Sequence, residues 1–259
     1  MSSDALVLTA DVDAVRVITL NRPASRNALG RELIRTLYDT LTATDADPSV
    51  HAVVLTGTDP AFCAGVDLKE AAQHGMAYFA EFRTHDCIAA VAEMRTPVVG
   101  AINGPTFTGG LEIALGCDFL IASDQAVFAD THARVGILPG GGMTARLPQV
   151  VGAAMARRLS MTGEVVDAAR AERIGLVTEV VPHEHLVPRA IDLAGQIAEV
   201  PRATMRDLKQ IYTSGASVVI DPALAAEQQI ALGQDRDLDS LGARFDAVTE
   251  RNKGQISPG

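Results

Sequence analysis

A glutamate that can move protons stands in the segment Gly109-Gly110-Leu111-Glu112, followed by Ile113, Ala114 and Leu115. Two glycines ahead of an apolar run read as the start of a short helix, which puts Glu112 in its first turn. Apolar surroundings raise the pKa of a carboxyl toward neutrality, the tuning a general acid or base requires. The N–H of Gly109 has no partner within such a helix and sits at the positive end of its dipole. It is therefore a suitable donor for an oxygen that gains negative charge. On this segment alone a glutamate that merely satisfies the helix start explains the pattern as well. An earlier segment, AFCAGVDLKE from Ala61 to Glu70, offers a second donor. Ala64 and Gly65 are small enough to let a ligand approach the main chain, Val66 presents its N–H, and Asp67 suits the cap of the next turn. Alone, this too is a common strand-to-helix loop.

These segments need elements that bring them together. AVRVITL (Ala14 to Leu20) favours a strand, and NRPASRNALG then supplies turn residues. Leu33, Ile34, Leu37 and Leu41 recur at helical spacing until Asp47-Pro48. AVVLTG (Ala52 to Gly57) is apolar on both parities, as in a strand covered on both faces. Phe79, Phe82, Val91 and Met94 mark one long helical stretch. Pro97 opens a second buried strand, PVVGAI, ahead of the Asn103-Gly104-Pro105 turn, and DFLIA and AVFAD read as a strand pair. After Pro139 the chain turns helical, with Gly175 at a helix end and LVTEVV as a strand. Pro201 and Pro222 each suit the first turn of a later helix. Beyond about Val200 the pattern holds no strand, and Leu241, Phe245 and Val248 give a last apolar face. The fold class is α/β, built of strand–strand–helix units and a helical tail.

Composition narrows the function. The chain has 259 residues, 47% of them apolar and 21% charged, which suits a globular protein with its own core. A net charge of −10 excludes a nucleic-acid footprint but not an anionic ligand held by a few local cations and helix N-termini. Cys63, Cys87 and Cys117 have no CxxC spacing and read as reduced thiols. Cys63 lacks a paired base in the local sequence and reads as packing rather than as a nucleophile. His183 and His185 flank Glu184 in a turn that reads as surface rather than as a metal site. No phosphate-binding or dinucleotide glycine fingerprint stands in a strand–helix context. No apolar run reaches the ~20 residues of a membrane span. Nothing near Met1 joins basic residues to an apolar run, so the expectation is a cytoplasmic protein with no membrane or nucleic-acid partner.

AFCAGVDL, then NGPTFTGGLE, then ADTHARVGILPGGG resemble the crotonase (enoyl-CoA hydratase/isomerase) superfamily in order, spacing and local residues. The resemblance runs from Ala14 to the tail. It implies a spiral core of strand–strand–helix turns over residues 1–199 and a helical oligomerisation region over 200–259. It also implies a homotrimer or hexamer, and an acyl-CoA thioester as substrate. Two backbone N–H groups bind the thioester oxygen in that family, and position assigns them to Val66 and Gly109. Coenzyme A comes with the substrate, so no separate cofactor and no metal are implied. Its binding falls to the loops Arg26 to Leu29 and Ala64 to Leu68: Arg26, Ala28, Leu29, Ala64, Gly65, Asp67 and Leu68. Phe245, Arg251 and Lys253 lie in a tail that reaches a neighbouring subunit's ligand in relatives. Hydratases of the family place two glutamates around the added water. Glu112 takes the first place, but His132 stands in the second. A histidine can be an acid or base at neutral pH, oriented by Asp130 if the strand continues; alternatively it lines a pocket that has lost its second catalytic group. The implied activity is hydration of 2-enoyl-CoA, with double-bond isomerisation or acyl-CoA binding without turnover as the alternatives.

Overall fold

The computed structural model describes residues 5–234 and 240–256, with the side chain of Leu241 outside the described residues. The chain opens with a hairpin, β1 (Val7–Val12) and β2 (Val15–Leu20), followed by α1 (Arg31–Ala46) and β3 (Ala52–Gly57). Three short helices come next: α2 (Leu68–His74), α3 (Met76–Thr84) and α4 (Cys87–Glu93). Then follow β4 (Val98–Ile102), β5 (Thr106–Phe107), α5 (Gly109–Gly116), β6 (Phe119–Ser123) and β7 (Val127–Ala129). The second half holds α6 (His132–Val135), α7 (Met143–Val151), α8 (Ala153–Thr162), β8 (Val166–Asp167), α9 (Ala168–Arg173) and β9 (Glu179–Val181). It ends in α10 (Leu186–Ala198), α11 (Arg202–Leu232) and α12 (Leu241–Ile256).

The larger sheet has the order β1-β2-β3-β4-β6-β9, parallel except for the β1–β2 hairpin. Its central strands are buried on both faces, and the alternation of side chains divides them cleanly. Ile18, Leu20, Val53 and Leu55 join the main core, whereas Val15, Val17, Ala52 and Val54 pack against Leu186, Ala190 and Ala194 of α10. A smaller sheet, β5-β7-β8, stands apart.

Several expectations change here. DFLIA and AVFAD do not pair: β6 already has β4 on one side and β9 on the other, so β7 finds its edge in β5. The stretch from Phe79 to Met94 is not one helix. It breaks after Thr84, and Asp86 restarts it by accepting the Ala89 N–H. Pro222 does not open a helix but lies inside α11, whose far end is anchored by buried Glu227 and Ala231. The proline forfeits a helical hydrogen bond there at a local cost of about 3 kcal/mol, which the flanking turns absorb. The β1 strand lies ahead of the first strand the pattern predicts: only Val7 is buried, and its last three residues, Ala10, Asp11 and Val12, are exposed, so no alternation marks it.

One ion-pair cluster locks α3, a wall of the cavity described below, to α1. Buried Glu81 accepts two hydrogen bonds from Arg35 at 2.7 Å each and a third contact from His85 Nδ1 at 2.8 Å. The Arg35 fork, above all, holds the Glu81 carboxyl down at about 2. A carboxyl depressed in the folded state stabilises above its ordinary pKa, and that contribution is lost as pH falls through the folded value. Glu81→Gln should therefore lower stability at neutral pH and flatten its fall between pH ~4.5 and ~2, the ordinary and folded values. Urea denaturation across that range is the measurement; parallel wild-type and variant curves would contradict it.

Candidate active site

The two donor loops meet because the loop after β3 is stitched on both sides. On one side, Ala64 N–H donates to Arg26 O at 3.0 Å, Leu29 N–H to Gly65 O at 2.7 Å, and Asp67 N–H to Leu29 O at 3.4 Å. On the other, Cys63 N–H reaches Pro105 O at 3.3 Å and Phe107 N–H reaches Cys63 O at 3.0 Å. Because the residues flanking Val66 make the bridge to Leu29, the N–H of Val66 itself points the opposite way. Asp67 caps α2 as its type suggests, accepting from Lys69 and Glu70 N–H.

Gly65 is where the loops touch. It has φ +90°, and a Cβ there would stand 2.7 Å from Phe107 O and 3.2 Å from Gly109 N, and would overlap Thr108 Oγ1. Thr108 is itself at φ 46°, a genuine outlier for a β-branched residue. Such strain costs on the order of 1–3 kcal/mol and gathers at functional sites. Here it turns the chain sharply into α5, whose first residue, Gly109, lines the cavity. Among the described residues neither Val66 N–H nor Gly109 N–H donates a hydrogen bond.

Below these donors lies a cavity of about 830 Å³, lined among others by Val66, Gly109, Glu112 and His132. Glu112 is 3% exposed. Its Oε1 accepts Gly141 N–H at 2.9 Å and Met143 N–H at 3.3 Å. Burial, working against the positive pull of His132, pushes its carboxyl up to about 7. His132 Nδ1 meets Asp130 Oδ1 at 2.8 Å, and its Nε2 lies 3.8 Å from Glu112 Oε2. Burial lowers the imidazole's proton affinity, but Glu112 and the Asp130 hydrogen bond outweigh it and the pKa rises above the ordinary value. Asp130 does orient the ring, although not by strand continuation: β7 ends at Ala129, and a turn brings the His132 N–H to Asp130 Oδ1 as well, at 3.2 Å.

The remaining residues divide. Arg26, Ala28, Ala64, Asp67 and Leu68 line the cavity. Leu29 and Gly65 lie behind it, Leu29 fully buried beneath Gly109 and Gly65 against Thr108. In the tail, Phe245 and Lys253 line this chain's cavity, and Val248 packs with Val135 and Ile137. Arg251 turns away and donates to Gly163 O at 2.6 Å and Thr162 O at 3.2 Å. Cys63 is buried, its thiol pushed up to about 12, too weak an acid to serve as a nucleophile. His183 bridges Ser123 Oγ at 2.9 Å and Asp59 Oδ2 at 3.0 Å. Among the described residues no group of three or more His, Cys, Asp or Glu is placed to hold a metal, and no helix is long and apolar enough to cross a membrane.

Three supporting residues were missed from the sequence. Buried Asn27, at φ 54°, ties the loop after β2 to that after β3 through Ala61 O at 2.7 Å and Thr58 O at 2.9 Å. Tyr78 OH donates to Leu29 O and accepts from Asp67 N–H. Arg22 donates to Asp67 Oδ2 at 2.5 Å and Ala28 O at 3.0 Å. Asn27 carried a signal, since asparagine tolerates left-handed backbone next to a turn; Arg22 and Tyr78 carried none.

Residues 11–239 match the family model described as enoyl-CoA hydratase/isomerase. The chain belongs to that family. It is 35% identical over 236 residues to a crotonyl-CoA hydratase of Syntrophomonas wolfei, covering 88% of each chain. A probable peroxisomal enoyl-CoA hydratase 1 of Arabidopsis thaliana is 34% identical over 89% of this chain and 87% of its own. The crystal structure of an enoyl-CoA hydratase from Mycobacterium smegmatis superposes with a TM-score of 0.79 at 44% identity, covering 89% of this chain and 98% of that one. The crotonase-like α/β architecture is thus that of the family, and Glu112 and His132 face each other across its cavity.

Gly65→Ala tests the loop contact. An alanine at positive φ costs more than the ~0.4–1 kcal/mol at stake in a tolerated exchange, and here its methyl must also displace Thr108. Chemical denaturation should show a clear loss; a variant as stable as wild type would mean that the loops do not meet as described.

Proposed function

We propose that this protein hydrates 2-enoyl-CoA thioesters, and that Val66, Gly109, Glu112 and His132 carry the reaction. The observation that supports this most is the 3.8 Å approach of His132 Nε2 to Glu112 Oε2 in a cavity that is also lined by Val66 and Gly109, neither of which donates its N–H among the described residues. The thioester oxygen accepts from both N–H groups, so that negative charge developing on it meets fixed donors. One member of the pair takes a proton from water as its oxygen adds to the β-carbon. The resulting enolate then takes a proton at the α-carbon from the other member. The balance requires the pair to hold one proton between them, which their mutual attraction and buried setting favour near neutral pH. Coenzyme A lies along Ala28 and Ala64 to Leu68, with Arg26, exposed at the rim, facing a phosphate. Because the pair is complete, a binder without turnover is the weaker reading.

Turnover should follow a bell-shaped pH profile, with one limb from loss and one from gain of the shared proton. His132→Ala should remove one limb and slow hydration by about 10²–10⁴. A change confined to KM would assign His132 to pocket lining. A panel of 2-enoyl and 3-enoyl thioesters, assayed separately for hydration and double-bond migration, distinguishes hydratase from isomerase. Failure to turn over or bind any acyl-CoA would remove the reading altogether.

The same reading makes the protein a homotrimer or hexamer, assembled through residues 200–259. In support, Leu208, Ile211, Tyr212, Val218 and Val219 form one exposed apolar face along α11, a pattern that marks an interface. Sedimentation velocity at micromolar concentration should show that oligomer, and a monomer would contradict it. Free thiols at Cys63, Cys87 and Cys117 support a cytoplasmic site of action.

A further inference from the structure

Glu227 belongs to none of the motifs that suggested the site. It comes from α11, far along the chain, and yet it is 7% exposed and points at the beginning of α7. Its Oε1 accepts Gly142 N–H at 2.6 Å, and its Oε2 accepts Thr144 N–H at 2.6 Å and the Thr144 hydroxyl at 2.5 Å. The N–H groups that alternate with these, on Gly141 and Met143, donate to Glu112 Oε1. Four consecutive N–H groups at the head of α7 thus alternate between two buried carboxylates.

The physical reason lies in the helix end. The first N–H groups of a helix lack intrahelical partners, and the residue preceding α7 is Gly142, which has no side chain to cap them. Glu227 supplies the missing cap from another helix. With the N–H of Gly142 and Thr144 held by Glu227, the turn has one rotational setting, and in it Gly141 and Met143 aim at Glu112. Without Glu227, two buried N–H groups would lose their acceptor and the turn would be free to rotate them toward Glu112.

We infer that Glu227 is a positioning residue for this reaction: it fixes the turn that holds the Glu112 carboxyl and keeps a negative charge behind the Glu112–His132 pair. The inference rests on the reading of that pair as the reacting groups. Asp130 lies behind His132, and Glu227 approaches from α11. Arg146 of α7 is committed to Gly141 O at 2.7 Å and interacts with Asp86 at the head of α4. The Glu227 charge acts on both members of the pair in the same direction, favouring the protonated form of Glu112 and of His132.

Glu227→Gln keeps an acceptor oxygen at the head of α7 and removes the charge. Both limbs of the pH–rate profile should move to lower pH by about one to two units, the size expected of one charge ~6–12 Å away at an effective dielectric of ~20. Glu227→Asp, which retains the charge, should return the limbs toward their wild-type positions. A purely structural residue would lower the melting temperature or kcat and leave both limbs in place, and that result would overturn the inference. A readout that needs no turnover separates this from the reading of the activity. In the ligand-free protein, the 13C carboxyl signal of Glu112, assigned by its loss in Glu112→Gln, should titrate at lower pH in Glu227→Gln; an unchanged titration would overturn the inference even if hydration were established. If Glu227→Gln does not fold, Thr144→Val serves instead, because it deletes one of the three donors and keeps the charge. It should reduce kcat by up to about 10²-fold, as for a group displaced by ~1 Å, with the limbs unmoved. An unchanged kcat in that variant would count against the positioning role.

Discussion

The close approach of Gly65 to Thr108 and Gly109 is the contact on which the site depends. The two loops leave different strands, and each presents one N–H that its own hydrogen bonding does not consume. They become a pair because a side chain at position 65 would not fit against Thr108 and because Thr108 accepts an unfavourable backbone conformation to start α5. The surroundings hold that arrangement from several directions. Arg22, Asn27 and Tyr78 bind carbonyls and side chains of the first loop, and the short bridge between Cys63 and Thr106 binds the two loops to each other. None of these is strong alone, since a typical hydrogen bond contributes only ~0.5–1.5 kcal/mol net. Together they outweigh a strain of similar size to any two of them.

The same economy governs Glu112. Taking a carboxyl from about 4.5 to about 7 changes the balance between acid and anion by about 3 kcal/mol. Burial among apolar side chains of α5 acts in that direction, and the two N–H donors of the α7 turn oppose it without cancelling it. His132 then brings a second titrating group within reach of the same proton. A carboxylate at position 132 would repel Glu112, whereas the imidazole attracts it, and Asp130 fixes the tautomer by taking the Nδ1 side. Where the family's hydratases place a second glutamate, this chain therefore sets an imidazole 3.8 Å from Glu112, with a carboxylate, Asp130, behind it.

Much of this was legible in the residue order. The doubly buried β3, the start of α5 at Gly109 and the cap at Asp67 all follow from local pattern, because each depends on neighbours within a turn or two. Where local pattern erred, a distant partner was responsible. AVFAD has the composition of a strand, but which strand it joins depended on β6 having both edges occupied. Pro222 is a helix-start residue by type, and α11 continues through it because Glu227 and Ala231 further on are buried against α7 and the cavity.

By itself, then, the sequence determined the family, the α/β class and the identities of the groups that can do chemistry, since those depend on residue type and on spacing along the chain. Tertiary structure alone decided that Asp130, His132 and Glu112 form one chain of contacts, that Arg22 and Tyr78 brace the donor loop, and that Glu227 shares a helix end with Glu112. Each of those relations joins residues from separate elements, and a hydrogen bond between distant segments leaves no periodicity in either of them.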